Sequence, residues 1–187
     1  MIIVIILISA LFAIFIWNHL ESYEDIEIEQ SNAINYDVEN IKDISSSDII
    51  NFIENSEKNR HPVLIYLYTS WCGICQKQLP VINQVAQKFQ NTDLQVMAVA
   101  IDKDLDLNKV KNHLNRLDNL YFLPLYISNR GNFKELLKTK SINFKNRIPF
   151  TILIDKNSKI IKQSSGYKSF KYFNKRIIKL LSKKDES

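Results

Sequence analysis

The chain has 187 residues, of which 45% are hydrophobic and 24% are charged, and its formal net charge is +5 at pH 7. This length suits one domain with its own hydrophobic core plus a terminal extension, so a second catalytic domain is not expected. Two cysteines and three scattered histidines argue against a four-ligand zinc site, and no nucleic-acid-binding motif accompanies the positive charge.

The N-terminal segment Met1–Leu20 contains no Asp, Glu, Lys or Arg. A helix of this length spans about 30 Å, the hydrocarbon thickness of a bilayer. The apolar run continues to Trp17, past the weak small-residue site near Ala13, which favours an uncleaved signal-anchor over a cleaved signal peptide. We expect residues 1–20 to be a transmembrane anchor, with the N-terminus in the cytoplasm and the domain outside.

Residues 21–46 are polar and show no sustained period, which predicts an extended acidic tether. The charge changes sign along the chain: Asn18–Asp48 holds nine acids and one lysine, whereas Ile49–Ser187 holds eleven acids and 24 bases. The predicted domain, residues 47–187, is therefore basic. A solvated lysine-rich surface explains this best, and attraction to acidic partners or anionic lipid is the alternative.

The domain is predicted to begin with a short helix and a buried strand. Ser46 or Ser47 can cap a helix that ends near Asn59. Pro62–Tyr68 is continuously apolar, as in a strand that is covered on both faces. His61, between the two elements, is interpreted as a loop residue rather than a catalytic base.

Both cysteines of the chain lie in Trp71–Cys75, which has the sequence WCGIC. A helix from about Cys72 to Phe89 follows, because apolar residues recur at steps of three and four. Cys72 then lies in the first turn, where the helix dipole favours the attacking thiolate. Cys75 lies one turn further and can close a disulfide, which predicts a two-step exchange in which Cys72 attacks and Cys75 resolves.

Two other interpretations of this motif remain open. A CxxC pair can supply half of a zinc site, but the other two ligands are missing from the sequence. The pair can also form a purely structural disulfide, although so short a loop constrains little of the unfolded chain.

The middle of the chain predicts a second buried strand, Leu94–Ile101, followed by Asp102, Asp104 and Asp106. The spacing of these aspartates resembles a calcium loop, but Leu107 replaces the required glycine, and we reject calcium. Further elements are predicted on the basis of pattern: a helix over 107–117, a strand over 121–127, a turn at 129–132 and a helix over 133–140.

The C-terminal part predicts a hairpin and a final helix. The hairpin strands are Phe150–Asp155 and Lys159–Gln163, and Gly166 ends the second strand. The helix, Ser169–Ser182, alternates an apolar stripe with lysines, and we expect it to pack on the core rather than lie on a membrane.

These motifs together resemble the thioredoxin superfamily, and more closely its membrane-tethered branch of the TlpA and ResA kind, over roughly Ser47–Lys184. The resemblance rests on the strand before WCGIC, on Pro80, and on Arg147–Thr151 ahead of the last hairpin. It implies that Pro149 is cis and faces the cysteines. It also implies that Trp71, Ile148 and Pro149 contact the substrate chain.

Two positions depart from the family pattern. Tyr66 stands where thioredoxins carry a buried aspartate, and Gln78 stands where ResA-like proteins carry a glutamate. Relatives use both carboxyl groups to move protons during exchange. We therefore place Tyr66 and Gln78 near the thiols as supporting residues that do not titrate at neutral pH.

The sequence predicts an α/β fold: a thioredoxin-like mixed sheet with helices on both faces. The expected function is a thiol-disulfide oxidoreductase anchored on the extracytoplasmic, periplasmic side of the cytoplasmic membrane, acting as a reductase of protein disulfides. A membrane thiol carrier would supply electrons, and no cofactor, metal or nucleic acid is expected. The competing class is a thioredoxin-like binding module or a copper(I)-handling protein.

Overall fold

The computed structural model describes residues 36–59, 61–103 and 106–182. The predicted anchor, residues 1–20, and the first part of the predicted tether lie outside these residues. Each element predicted for the domain is present, and its ends differ from the prediction by a few residues. In chain order the elements are a 3-10 turn at Val38–Asn40, β1 (Lys42–Asp43), α1 (Ser46–Asn59), β2 (Val63–Tyr68), α2 (Gly73–Phe89), β3 (Gln95–Ala100), α3 (Leu107–Leu114), β4 (Leu123–Tyr126), α4 (Phe133–Thr139), β5 (Phe150–Ile154), β6 (Ile160–Ser165) and α5 (Phe170–Leu181).

The six strands form one mixed sheet in the order β1-β4-β3-β2-β5-β6. Three pairs are parallel: β1 with β4, β4 with β3, and β3 with β2. The other two pairs, β2 with β5 and β5 with β6, are antiparallel. The parallel strands are joined by helical crossovers and the last two strands by a tight hairpin, as parallel and antiparallel pairs require. The predicted mixed α/β sheet is confirmed.

Helices cover both faces of the sheet, and the central strand β2 shows this most clearly. Its alternate residues Leu64, Tyr66 and Tyr68 belong to one core cluster, with α2, α3 and α5. The other set belongs to a second cluster, with α1 and α4. All six residues of β2 are buried, which explains why the strand is continuously apolar.

The segment Tyr36–Ser45 differs from the predicted tether. β1 pairs in parallel with β4 as an edge strand, Ile44 is buried, and the Tyr36 N–H donates to the Leu120 carbonyl at 2.8 Å. In the described residues the folded unit therefore starts before residue 47. The sequence does not predict this strand, because two residues are too short to show a hydrophobic period. Ile44 becomes buried through the tertiary packing that accompanies the pairing of β1 with β4.

The final helix packs as predicted. Ser169 caps it by accepting from the Tyr172 N–H, Phe173 and Ile177 are buried, and the lysines point outward. Gly166, with φ +74°, turns the chain between β6 and α5. Among the described residues, no helix is both long and apolar enough to cross a bilayer.

Candidate functional site

The two cysteines lie where β2 ends and α2 begins. Cys72 is the N-cap of α2, and its Sγ accepts a hydrogen bond from the Cys75 N–H at 3.2 Å. The two residues form a disulfide with a Cα–Cα distance of 5.2 Å. Cys72 is partly exposed, whereas Cys75 is 0% exposed. A thiol or disulfide in solution can therefore reach the sulfur of Cys72 but not that of Cys75.

The electrostatics of this helix start favour a thiolate on Cys72. The first turn of α2 contains no acidic residue, and its unpaired amides point toward the N-cap. A helix N-terminus of this kind stabilises negative charge and lowers the pKa of a thiol. The attacking role predicted for Cys72 fits this position.

Ser70, two residues before Cys72, is fixed by its neighbours. Its N–H and hydroxyl donate to the buried carboxylate of Asp102, at 3.0 and 2.7 Å. Its carbonyl accepts from His113 Nε2 at 2.8 Å and from Gln76 Nε2 at 3.1 Å. Every polar group of Ser70 is thus paired, and the loop that presents Cys72 is held to β3, α3 and α2.

Tyr66 replaces the family aspartate and contacts the main chain of α2. Its hydroxyl donates to the Cys75 carbonyl at 2.9 Å, and its ring stacks on that of Tyr68 with a centroid distance of 5.4 Å. Burial raises the pKa of Tyr66 well above its ordinary value. Burial, and then the charge of Asp102, raise the pKa of Tyr68 in the same direction. Neither hydroxyl can accept a proton during exchange near neutral pH.

Gln78 is buried, and both polar atoms of its side-chain amide form hydrogen bonds with the main chain of Lys168. Its Oε1 accepts from the Lys168 N–H at 2.6 Å, and its Nε2 donates to the Lys168 carbonyl at 2.9 Å. The amide is thus engaged by Lys168, and the expected place of Gln78 beside the thiols stays a prediction. The β6–α5 loop presents one donor and one acceptor, which an amide satisfies together.

The Ile148–Pro149 peptide bond is cis. In the antiparallel register, Phe150 pairs with Leu67, which places Pro149 and Ile148 beside the end of β2, where the cysteine loop starts. The Thr69 carbonyl on this loop accepts from the Cys72 N–H at 3.3 Å. Trp71, 70% exposed, lies in the same loop. The register thus places Ile148 and Pro149 at the same edge of the sheet as the loop that contains Trp71 and Cys72.

The aspartates that resembled a calcium loop have other partners. Asp102 binds Ser70, and Asp106 caps α3 by accepting from the Lys109 N–H. Asp104 lies outside the described residues. Within the described ranges no group of three or more His, Cys, Asp or Glu side chains could hold a metal ion.

Sequence reasoning missed the supporting polar residues: Ser70, Gln76, Asp102, His113 and Lys168. Asp102 offered a signal, because it directly follows a buried strand parallel to β2 and therefore lies at the same edge of the sheet. His113 and Lys168 offered none, since their contacts span 43 and 90 positions of sequence.

Comparison with known proteins adds three findings. A family model described as Redoxin matches residues 39–176. The thiol-disulfide oxidoreductase ResA of Bacillus thuringiensis subsp. konkukian is 28% identical over 104 residues, which cover 56% of this chain and 54% of the relative. The chain therefore spans about half the length of the curated relatives it matches.

The fold resembles solved structures of similar proteins. A thiol:disulfide interchange protein of the thioredoxin family from Chlorobium tepidum superposes with a TM-score of 0.55 at 17% identity, covering 68% of this chain and 85% of that one. An exposed lipoprotein thioredoxin from Streptococcus pneumoniae superposes with a TM-score of 0.52 at 21% identity, covering 68% and 90%. At these identities the likeness concerns the fold.

Proposed function

Because this chain belongs to the Redoxin family, we propose that it is a thiol-disulfide oxidoreductase that acts on protein disulfides. One observation carries the proposal: a partly exposed Cys72 at a helix N-terminus is bonded to a fully buried Cys75. This arrangement provides an attacking and a resolving thiol within one turn of helix.

The reaction requires only the two thiols and the substrate. The Cys72 thiolate attacks a substrate disulfide, its S–S bond breaks, and the first substrate thiolate leaves. The Cys75 thiolate then attacks Cys72, which closes the Cys72–Cys75 disulfide and releases the second substrate thiolate. Two electrons pass to the substrate, and its two thiolates take up two protons, which balance those that Cys72 and Cys75 release to solvent when they form thiolates.

We further propose that the protein works as a reductase on the extracytoplasmic side of the cytoplasmic membrane, with electrons supplied by a membrane thiol carrier. The support is the resemblance to the TlpA and ResA branch and the uncharged segment Met1–Leu20. On this proposal, residues 1–20 anchor the domain as a single-pass span.

Serine variants test the chemistry. Cys72→Ser and the double variant should lose reduction of a disulfide-bonded peptide, whereas Cys75→Ser should accumulate a mixed disulfide between Cys72 and the peptide, detected by mass spectrometry. Reduction retained by the double variant would refute the assignment of the chemistry to Cys72 and Cys75.

The direction is tested by equilibrating the Cys72–Cys75 pair with glutathione buffers. A reductase should have a potential near the roughly −270 mV of reducing thioredoxins rather than the about −120 mV of strong oxidants. A value at the oxidising end would refute the proposed direction but leave the oxidoreductase chemistry intact.

A further inference from the structure

Positive charge is concentrated in the part of the chain that contains the cis-proline loop. Residues 141–182 contain ten lysines and arginines and only one acid, Asp155. Asp155 lies at the far end of the β5–β6 hairpin from Pro149. Helix α2, which packs beside α5, carries Lys77 and Lys88 and no acid. Cations on this side of the site therefore have few carboxylates nearby.

Three of these cations lie on segments that adjoin the cysteine pair. Arg147 is exposed and precedes the Ile148–Pro149 bond. Lys77 is exposed on α2, three residues after Ile74 and so on the same face of the helix. Lys168 is tied by its main chain to Gln78, in the second turn of α2. Within the described residues, none of the three forms an ion pair.

The β6–α5 loop, which contains Lys168, is held in place by hydrogen bonds. Its main chain is bound by the Gln78 amide, and the Gly166 N–H donates to the Pro149 carbonyl at 2.8 Å. The Lys168 ammonium donates to three carbonyls of its own loop, which are neutral and leave its charge uncompensated. Between Gly166 and Lys168 the loop exposes half of the Tyr167 surface.

Two acids that follow β3 within the described residues, Asp102 and Asp106, are already engaged. Asp102 is buried and accepts both donors of Ser70, and Asp106 is ion-paired with Lys109 at 3.3 Å. A partner that approaches Cys72 over Tyr167 thus meets apolar and cationic side chains.

We infer that the surface formed by Lys77, Arg147, Tyr167 and Lys168 selects protein substrates that carry acidic residues next to the target disulfide. This inference rests on the proposed function and names its substrate class. Complementary charge increases the rate of productive encounter more than it increases final affinity, and salt screens it. The selectivity should therefore appear in second-order rates at low ionic strength.

The test uses the purified full-length chain and three synthetic peptides. Each peptide has one intramolecular disulfide, and the peptides differ only in two flanking residues, which are Glu, Gln or Lys. The chain is reduced, and single-turnover oxidation by excess peptide is followed. The Glu peptide should react about tenfold faster than the Lys peptide, with Gln between them, and the difference should shrink at about 0.5 M salt.

Charge reversals locate the effect. Arg147→Glu and Lys77→Glu should each lower the ratio of Glu to Lys peptide rates severalfold. The matched control is Lys159→Glu, which makes the same change at the far end of the β5–β6 hairpin and should leave the ratio unchanged.

Four outcomes would overturn the inference. Equal rates for the Glu and Lys peptides would remove the selectivity while leaving the oxidoreductase function standing. If Lys159→Glu changed the ratio as much as Arg147→Glu, the cause would be net charge and not this surface. The chain's binding to phosphatidylglycerol and phosphatidylcholine vesicles is also compared. If the peptide rates were equal and Arg147→Glu instead weakened the chain's preference for phosphatidylglycerol, the cations would bind anionic lipid and not acidic substrates. Failure of all three peptides to react would refute the proposed function itself, and this inference with it.

Discussion

Cys72 and Cys75 are three residues apart, yet the fold gives them different environments. Cys72 caps α2 and reaches solvent, whereas Cys75 is enclosed by the core cluster that also contains Tyr66 and Leu79. Gln78 and Tyr66 hold main-chain groups of the surrounding loops and carry no titrating proton near neutral pH. At the residue scale, the proposed exchange chemistry rests on the cysteines, and the nearby polar side chains bind the main chain around them.

The difference between the cysteines predicts selective alkylation. In the reduced protein at neutral pH, iodoacetamide should label Cys72 much faster than Cys75, because only Cys72 is accessible and lies at the helix start. Peptide mapping by mass spectrometry identifies the labelled sulfur. Faster labelling of Cys75 would reverse the assigned roles.

Gln78→Glu should destabilise the protein, since a carboxylate cannot donate to the Lys168 carbonyl and would be buried against it. We expect a loss of about 2 kcal/mol at neutral pH. Burial raises the pKa of the introduced carboxyl in the folded state, so the loss should be small at acidic pH, where the carboxyl is protonated, and should grow as the pH rises through that pKa.

Urea denaturation of Gln78→Glu at several pH values measures this loss. Gln84→Glu is the matched control, because Gln84 is exposed on the same helix. A Gln78→Glu variant as stable as the control at every pH would show that the Lys168 contact contributes nothing.

The two stacked tyrosines provide a matched pair. Tyr66→Phe removes the hydrogen bond to the Cys75 carbonyl and should cost about 1 kcal/mol of unfolding free energy. In the described residues the Tyr68 hydroxyl has no partner, so Tyr68→Phe should be nearly neutral. Because burial raises both pKa values above 10.0, the difference should be constant from acidic pH to about pH 9. Equal costs in urea denaturation would contradict the assigned contact.

At the scale of elements, the site is assembled from segments that meet at one edge of the sheet. The ends of β2 and β3 bring Ser70 to Asp102, α3 supplies His113, and the start of β5 supplies Pro149. Each element is ordinary when taken alone. The β6–α5 loop joins them through the Gln78 amide on α2, which binds Lys168, and through the Gly166 N–H, which donates to the Pro149 carbonyl.

The edge strand β1 makes a prediction at this scale. A chain starting at Tyr36 should fold with unchanged thiol reactivity, whereas a chain starting at Ser47 should lose about 3 kcal/mol or more, because it loses buried Ile44 and the β1–β4 pairing. Thermal and urea unfolding of the two truncations measure the difference. Equal stability would show that the segment before residue 47 behaves as the tether predicted from the sequence.

At the scale of the whole molecule, charge is distributed unevenly: acids outnumber bases before residue 49, and bases outnumber acids after it. The basic side of the domain adjoins the cysteine pair. The recognition of charged substrates should therefore depend on where the cations lie more than on the net charge of the chain.

The proposed location can be tested on intact cells of a bacterial host. The full-length chain should sediment with membranes, and a membrane-impermeant maleimide should label its cysteines after reduction, because the domain is proposed to lie outside. A variant lacking residues 1–20 should leave the membrane fraction and escape the reagent. Labelling of the full chain only after lysis would place the domain inside.

The sequence alone determined the sheet and the reactive pair. Continuous apolar runs identify buried strands, the change of period after Cys72 identifies α2, and two cysteines spaced by one helical turn leave few other functions. These signals are local, because they depend on hydrophobic periodicity and on the first turn of a helix, and both are fixed by neighbouring residues.

The tertiary structure alone decided what surrounds the sulfurs. The Gln78 amide binds Lys168, Ser70 is held by Asp102 and His113, and Lys42–Asp43 pairs with β4 in the sheet. Each of these contacts joins residues far apart in sequence. The packing of helices and strands determines which groups meet. A polar side chain shows no sequence pattern from which its distant hydrogen-bond partner could be predicted.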